Sequence, residues 1–275
     1  MRQIALVVVA FAVIAGTAVA AVIPPGAIVH YTMDTVDTSG STILDTSGSA
    51  TVHNGAMSGT GVVSHAGGVF GQSVVFTTTN SDSVNIPNHP EINTSAVTDR
   101  TVAMWFKADG TSLRQVLFEE GGGTHGLNMY IYNDDLYVGM WRDTGATETY
   151  LSTPVDAGVW HHAAFVLDSS STFTGYLDGI AFDTGVGATV PAYANENFIG
   201  GRNGNSDTRF ETGTGSGQGA NSNAFGGMLD QFVLYNRALT DQEILGLSVI
   251  PEPTTLLIWS LLAGLGVGLG WRRRK

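Results

Sequence analysis

Two adjacent carboxylates, Glu119-Glu120, and two adjacent imidazoles, His161-His162, are the side chains in this 275-residue chain best suited by type to acid–base work. Glycoside hydrolysis needs two carboxyl groups aimed at one bond, often alternating on a strand at a two-residue spacing. No Glu-x-Asp-x-Glu or Glu-x-Asp-x-x-Glu is present. Neighbouring residues on a strand face opposite ways, so neither adjacent pair can enter one site. Glu119-Glu120 is therefore expected to mark a strand end, and His161-His162, after Trp160, a structural strand start. His30, His53, His65, His89 and His125 are dispersed without metal-ligand spacing. There is no cysteine nucleophile and no Gly-x-Ser-x-Gly elbow. Tyr130, Tyr132, Tyr137 and Trp141 fall on one hairpin and could stack on sugar rings, although core packing accounts for most strand aromatics.

The elements that carry these residues are strands. Thr101–Lys107 alternates, with Val102, Met104 and Phe106 on one face. Leu127–Tyr132 and Leu136–Trp141 flank Asn133-Asp134-Asp135, a pattern that predicts a hairpin with a three-residue loop. Further strands are expected at Trp160–Leu167, Phe173–Leu177 and Met228–Tyr235, with a tight turn at Asp178-Gly179. Gly, Ser, Thr and Asn fill the short gaps, which implies an antiparallel sandwich rather than alternating βα units. Thr240-Asp241-Gln242-Glu243 is a capping box for one short helix, with Ile244, Leu245 and Leu247 positioned to dock on the sandwich. Gly200–Gly227 is glycine-rich and reads as a long loop.

The two ends differ from the middle. Met1-Arg2, an apolar run from Ile4 to Ala15 and Ala18-Val19-Ala20 have the form of a secretory signal peptide over residues 1–20. One domain is expected over 21–248, long enough to bury its own core without disulfides. The formal charge of −12 understates its acidity. Five of the twelve cations, Arg2, Arg272, Arg273, Arg274 and Lys275, lie in the end segments against one acid, Glu252, so the domain carries 7 cations and 23 acids, a net of −16. Such a surface repels nucleic acid and anionic lipid and is compatible with divalent cations and neutral sugars.

Four groups of residues, in order along the chain, resemble the laminin-G-like, concanavalin A-like jelly-roll family of bacterial secreted proteins. They are Ile28–Asp34 with Leu44–Gly48 and Asn54-Gly55; Ser83–Pro87 leading into Val102–Lys107; Trp160–Ala164 with Gly175–Gly179; and Phe198–Gly201 with Gly226–Leu239. The resemblance implies an all-β sandwich of two stacked, curved antiparallel sheets, and a structural role for Trp160-His161-His162. Many relatives hold a calcium ion at the sandwich rim through Asp and loop carbonyl oxygens, hard donors that suit it. Asp34 ends the first strand, Asp45 opens a polar turn nearby, and Asp230 lies on a late strand that in this family can return beside the first. These three are the calcium ligands that the resemblance implies. The bland alternative is that Asp34 and Asp45 cap turns while Asp230 accepts backbone N–H bonds.

Residues 249–275 resemble the PEP-CTERM sorting signal: the motif Pro251-Glu252-Pro253, an apolar helix over 254–271 and a basic end over 272–275, with Ile250 in place of the usual Val. The resemblance implies an exosortase-type membrane protease as partner and an association with exopolysaccharide matrix. As a helix, the apolar stretch rises about 27 Å, near the lower limit for crossing a bilayer. The basic end would stay cytoplasmic and leave the domain outside. The expected function is that of an exported, non-catalytic domain binding polysaccharide or matrix protein at the cell surface, anchored transiently or permanently. A divergent glycosidase or polysaccharide lyase on the same fold, or a purely structural matrix protein, are the alternatives.

Overall fold

The computed structural model describes residues 23–59, 63–78, 82–142, 147–194, 197–201, 208–211 and 223–250. The expected signal peptide, the sorting tail with its helix, and the centre of the Gly200–Gly227 loop lie outside these residues. Among the described residues no helix is long and apolar enough to cross a membrane.

The strands run in chain order as β1 (Val29–Tyr31), β2 (Thr38–Ser39), β3 (Thr42–Ile43), β4 (Gly55–Ser58), β5 (Val63–Ala66) and β6 (Gln72–Phe76). There follow β7 (Ser83–Asn85), β8 (Arg100–Ala108), β9 (Gln115–Gly122), β10 (His125–Tyr132), β11 (Asp135–Arg142) and β12 (Thr147–Pro154). The last are β13 (His161–Leu167), β14 (Thr172–Leu177), β15 (Ile180–Val186), β16 (Asn197–Ile199) and β17 (Gly227–Tyr235), ahead of helix α1 (Asp241–Ser248). They form two antiparallel sheets. One has the order β15-β14-β13-β8-β17-β6-β5, with β1 on the remaining part of β17, and the other β12-β11-β10-β9-β16-β7-β4-β3-β2. Hairpin neighbours alternate with pairings between strands distant in sequence, such as β8 with β13 and β17, and β16 with β7 and β9, as a jelly-roll topology requires.

Alternation along each strand builds the interior. Val102, Met104 and Phe106 of β8 meet Leu117, Phe118, Leu127, Met129 and Ile131 of the facing sheet in one apolar core. The other face of β8 is also buried, because α1 covers it. Ile244 and Leu247 pack there with Ala103, Ala164, Val166, Tyr176 and Val233. The capping box forms as expected: Thr240 accepts from the Glu243 N–H, and the Glu243 carboxylate accepts from the Thr240 N–H at 2.9 Å.

Both hairpin turns are of the tight two-residue kind. Asp178 and Gly179 take φ of 51° and 81° between β14 and β15. Asn133 and Asp134, at 51° and 67°, join β10 to β11. Asp135 is therefore a strand residue paired with Tyr132, and the loop is one residue shorter than the sequence suggests. Asn and Asp tolerate the left-handed region, so two such residues suffice for the turn.

Candidate functional site

Asp230 stands in β17 beside an irregularity: Asp230 pairs with Trp105 and Val233 with Ala103, and Gln231 between them takes a φ of 50°. The Asp230 side chain is fully buried. Its Oδ2 accepts the backbone N–H groups of Val69 and Phe70 at 2.7 and 3.0 Å, from the loop between β5 and β6. Asp34 reaches the same loop, where its Oδ1 accepts the Gln72 N–H at 2.8 Å. Met33, just before it, also sits at positive φ, 66°. Two non-glycine residues in this conformation, each adjoining a carboxylate, place local backbone strain at this loop.

Two glycines permit the approach. A Cβ at Gly68 would lie 2.2 Å from the Gln72 carbonyl oxygen and 2.8 Å from Asp230 Oδ2. One at Gly71 would lie 2.6 Å from Asp34 Oδ1, at a φ of +85°. Burial pushes the Asp230 carboxyl up to about 7, against the opposing pull of the Phe70 and Val69 N–H groups, and the Asp34 charge pushes it further. Burial also raises the Asp34 carboxyl, opposed by the Gln72 N–H and aided by the charge of Asp37. Asp230 Oδ1 is buried without a hydrogen-bond partner. A buried carboxylate whose proton affinity a second carboxylate raises, with one oxygen an orphaned acceptor, fits a hard divalent cation such as calcium.

The structure thus brings Asp34 and Asp230 to one loop, and it places Asp45 elsewhere. Asp45 Oδ1 accepts the N–H groups of His30 and Ser47 at 3.0 and 2.9 Å, and Oδ2 that of His53 at 2.9 Å. Both oxygens fasten β1 to the turn and to the segment before β4. The Gly67-Gly68-Val69-Phe70-Gly71 loop went unnoticed in the sequence, and three glycines in five residues just ahead of a strand were the available signal.

The acid–base pairs resolve into structural roles. Glu119-Glu120 lies inside β9 and is buried, contrary to the expected strand end. Glu120 points into the sandwich and pairs with buried Arg100 at 3.1 Å, a partner that sequence could not supply. Glu119 is opposite Asn128 in register, on the outer face. His161 and His162 do face opposite ways. His161 Nδ1 meets Asp178 Oδ2 at 2.9 Å, and His162 packs edge-on to Trp105. Burial lowers His162 to about 4, so its ring is neutral.

The hairpin aromatics are largely covered. Tyr130 and Trp141 are fully buried. Tyr130 stacks on Tyr137 at 4.9 Å and meets Phe210 edge-on, while the Arg114 guanidinium lies 4.1 Å over Tyr132. The segment 208–211 lies over this outer face, held by Asn128 bonded to Thr208 and by Glu211 bonded to Tyr130 and Arg114. Beside it opens a cleft of about 660 Å³, lined by Val75–Thr78, Asp109–Gly110, Ser112–Gln115, Asn223, Ala224 and Gly226. Gln115 braces it, donating to the Gly110 carbonyl and accepting from the Gly226 N–H at 2.7 and 2.9 Å. Leu113 stands on its rim, 77% exposed.

The family model of the concanavalin A-like lectin/glucanases superfamily matches residues 78–245. The chain belongs to this superfamily. The PEP-CTERM protein-sorting motif matches residues 249–275, and it implies handling by exosortase-type machinery and export to the cell envelope or surface. Among solved structures, the binding domain of Paraclostridial Mosquitocidal Protein 1 is similar at a TM-score of 0.61 and 17% identity, over 81% of this chain and 52% of that one. Domain 4 of an extracellular arabinanase from Geobacillus stearothermophilus, solved in complex with arabinotriose, is similar at 0.58 and 16%, over 82% and 98%. The binding domain of botulinum neurotoxin serotype D follows at 0.54 and 11%, over 81% and 51%. The chain spans about half the length of the toxin binding domains, and at these identities the likeness is one of fold. No curated protein sequence matches.

Proposed function

We propose that this protein is an exported, non-catalytic glycan-binding domain of the cell surface or extracellular matrix. The observation that carries the reading is the braced cleft of about 660 Å³ with exposed Leu113 on its rim and exposed Asp109 in its wall. Its size is that of a small-ligand site, and an apolar rim beside hydrogen-bonding groups suits a sugar, which presents both kinds of surface. The arabinotriose complex of the arabinanase domain supports the ligand class, and the acidity of the domain favours neutral polysaccharides over polyanions. Catalysis is disfavoured because Glu120 faces inward to Arg100 while Glu119 faces outward.

Calcium is proposed as a structural cofactor, with Asp34 and Asp230 holding it and stiffening the loop over 67–72. A signal peptide over 1–20 and removal of the tail after Pro251-Glu252-Pro253 by an exosortase complete the reading. Peptides running intact through Trp271 in protein from the native host would overturn that last step.

A glycan array with a reducing-end assay on the same polysaccharides tests the main proposal. Binding without new reducing ends, weakened at least tenfold by Leu113→Ser or Asp109→Ala, is expected. Turnover abolished by a single carboxylate substitution would replace the binding domain with an enzyme.

A further inference from the structure

His53, His89 and Glu91 are dispersed in sequence, yet their ligating atoms lie within 4.8 Å of one another. His53 Nε2 is 3.2 Å from Glu91 Oε2, and His89 Nδ1 is 3.4 Å from the same oxygen. The two imidazole rings lie 4.7 Å apart between centroids. His53 precedes β4 and is 2% exposed, whereas Glu91 and His89 lie in the loop between β7 and β8 with one side open to solvent. From these residues we propose a second cation site, a three-ligand centre for a divalent transition metal of the zinc class.

The distances fit that ion. Zinc binds imidazole nitrogen and carboxylate oxygen at about 2.0–2.2 Å in a tetrahedron, which separates neighbouring ligand atoms by about 3.4 Å. Both separations to Glu91 Oε2 are close to that edge. In the metal-free protein the single lone pair of His89 Nδ1 accepts the Glu91 N–H at 3.3 Å, a long bond whose donor an ion would replace. Two nitrogens and one oxygen are donors of borderline softness, suited to zinc and unlike the all-oxygen set calcium takes.

The ligands are held before any metal arrives. The His89 carbonyl accepts the N–H groups of Ile92, Asn93 and Thr94 at 2.8, 2.8 and 3.1 Å, and Asn93 Oδ1 accepts the His89 N–H. The Arg100 guanidinium bonds the Ile92 carbonyl, and Asn236 bonds that of Glu91. On the other segment, Asp45 accepts the His53 N–H, and the Tyr31 hydroxyl donates to the His53 carbonyl at 2.6 Å. An ion here staples the loop before β8 to the segment before β4 and leaves a fourth position open toward solvent.

The test uses the full-length chain in detergent, stripped with chelator and titrated with Zn²⁺ by calorimetry. His53 is buried, so the informative variants are His89→Ala and Glu91→Gln, with melting curves in chelator to verify their folding. One equivalent of zinc is expected at a site that millimolar Ca²⁺ does not compete for. Both variants should bind at least about 100-fold more weakly, since loss of a mere supporting partner already weakens metal sites about 10- to 100-fold. Cobalt at the same site should give the strong visible absorption of a four-coordinate ion, lost in both variants and kept in Asp230→Asn. No zinc uptake, or uptake unchanged in the folded variants, would reduce the cluster to histidines paired with a glutamate and overturn the site.

Discussion

The Asp34–Asp230 loop and the His53–His89–Glu91 cluster both depend on the first strand, and they differ in how each is prepared for a cation. Asp34 lies three residues beyond the end of β1, and Tyr31 of β1 holds the His53 carbonyl. At the loop, backbone N–H groups already occupy Asp230 Oδ2 and Asp34 Oδ1, burial raises both carboxyls, and Asp230 Oδ1 is an orphan. The metal-free loop is therefore electrostatically uncomfortable, and either protonation or the proposed calcium ion would relieve it. At the cluster one side chain is buried and two are open to solvent, and the cost of ordering them is met by a network on the far side. On the proposed readings, the first arrangement would couple cation binding to stability and pH, the second to geometry. Four experiments probe that difference.

The largest effect is expected at Arg100. It is fully buried, pairs with Glu120 across the sandwich and supports the loop carrying His89 and Glu91. Arg100→Met leaves the Glu120 carboxyl buried without its cation, and breaking a buried pair by removing one partner costs about 3–5 kcal/mol. Denaturant unfolding should show a loss of that order. Zinc affinity should fall with it, while the molecules that remain folded keep their response to calcium. Stability close to the parent, or loss of both metal responses in folded protein, would mean that the two regions do not rest on separate supports.

Next comes pH in the absence of metal. The native Asp230 carboxyl holds its proton to about pH 7, whereas the unfolded one releases it near 4. Between these values the native state binds more protons, so this group makes stability fall as pH rises, by a few kcal/mol across the window. His162 acts in the opposite sense. Its native value near 4 lies below the unfolded 6.5, so it makes stability rise with pH over that interval. The opposing slopes overlap, and the informative quantity is the difference between parent and Asp230→Asn. That difference should shrink in saturating calcium, which binds the ionised form. An identical pH profile in parent and variant would remove the electrostatic argument for the loop.

Calcium itself should raise the melting temperature of chelator-treated protein. At a hundredfold excess over Kd, a ligand of the native state stabilises by about 2.7 kcal/mol. Asp230→Asn and Asp34→Asn should each abolish the increment. Gly71→Ala should weaken it as well, because its Cβ meets Asp34 Oδ1 at 2.6 Å. Equal melting curves in calcium and in chelator would leave the raised carboxyls as a feature of burial alone.

The sequence conveyed the fold better than the sites, for physical reasons. Val102, Met104 and Phe106 alternate because one face of β8 meets the core, and alternation is a local pattern that a single chain displays. The capping box and the Asp178-Gly179 turn are local too. Asp34 and Asp230 meet through a glycine loop that neither adjoins in sequence, and His53 meets Glu91 across 38 residues of chain. Contacts of that kind are set by strand order, so five scattered histidines concealed a cluster. Glu119-Glu120 looked like a strand end because the cation that admits Glu120 to the interior lies twenty residues earlier, on the other sheet.

The smallest expected effect separates a ligand from a staple. Asp45 shares its residue type and its nearness to β1 with Asp34, and from sequence the two were equivalent. Asp45 has three backbone N–H partners distributed over both oxygens, whereas Asp230 has two on one oxygen and none on the other. Asp45→Asn keeps the size and one acceptor and loses the charge-assisted bonds, which are worth about 1.5–3 kcal/mol for a charged group. It should lower the melting temperature in calcium and in chelator alike, leaving the interval between the two curves unchanged. A shift confined to the calcium curve would make Asp45 a third ligand, and the contrast between the two aspartates that follow β1 would disappear.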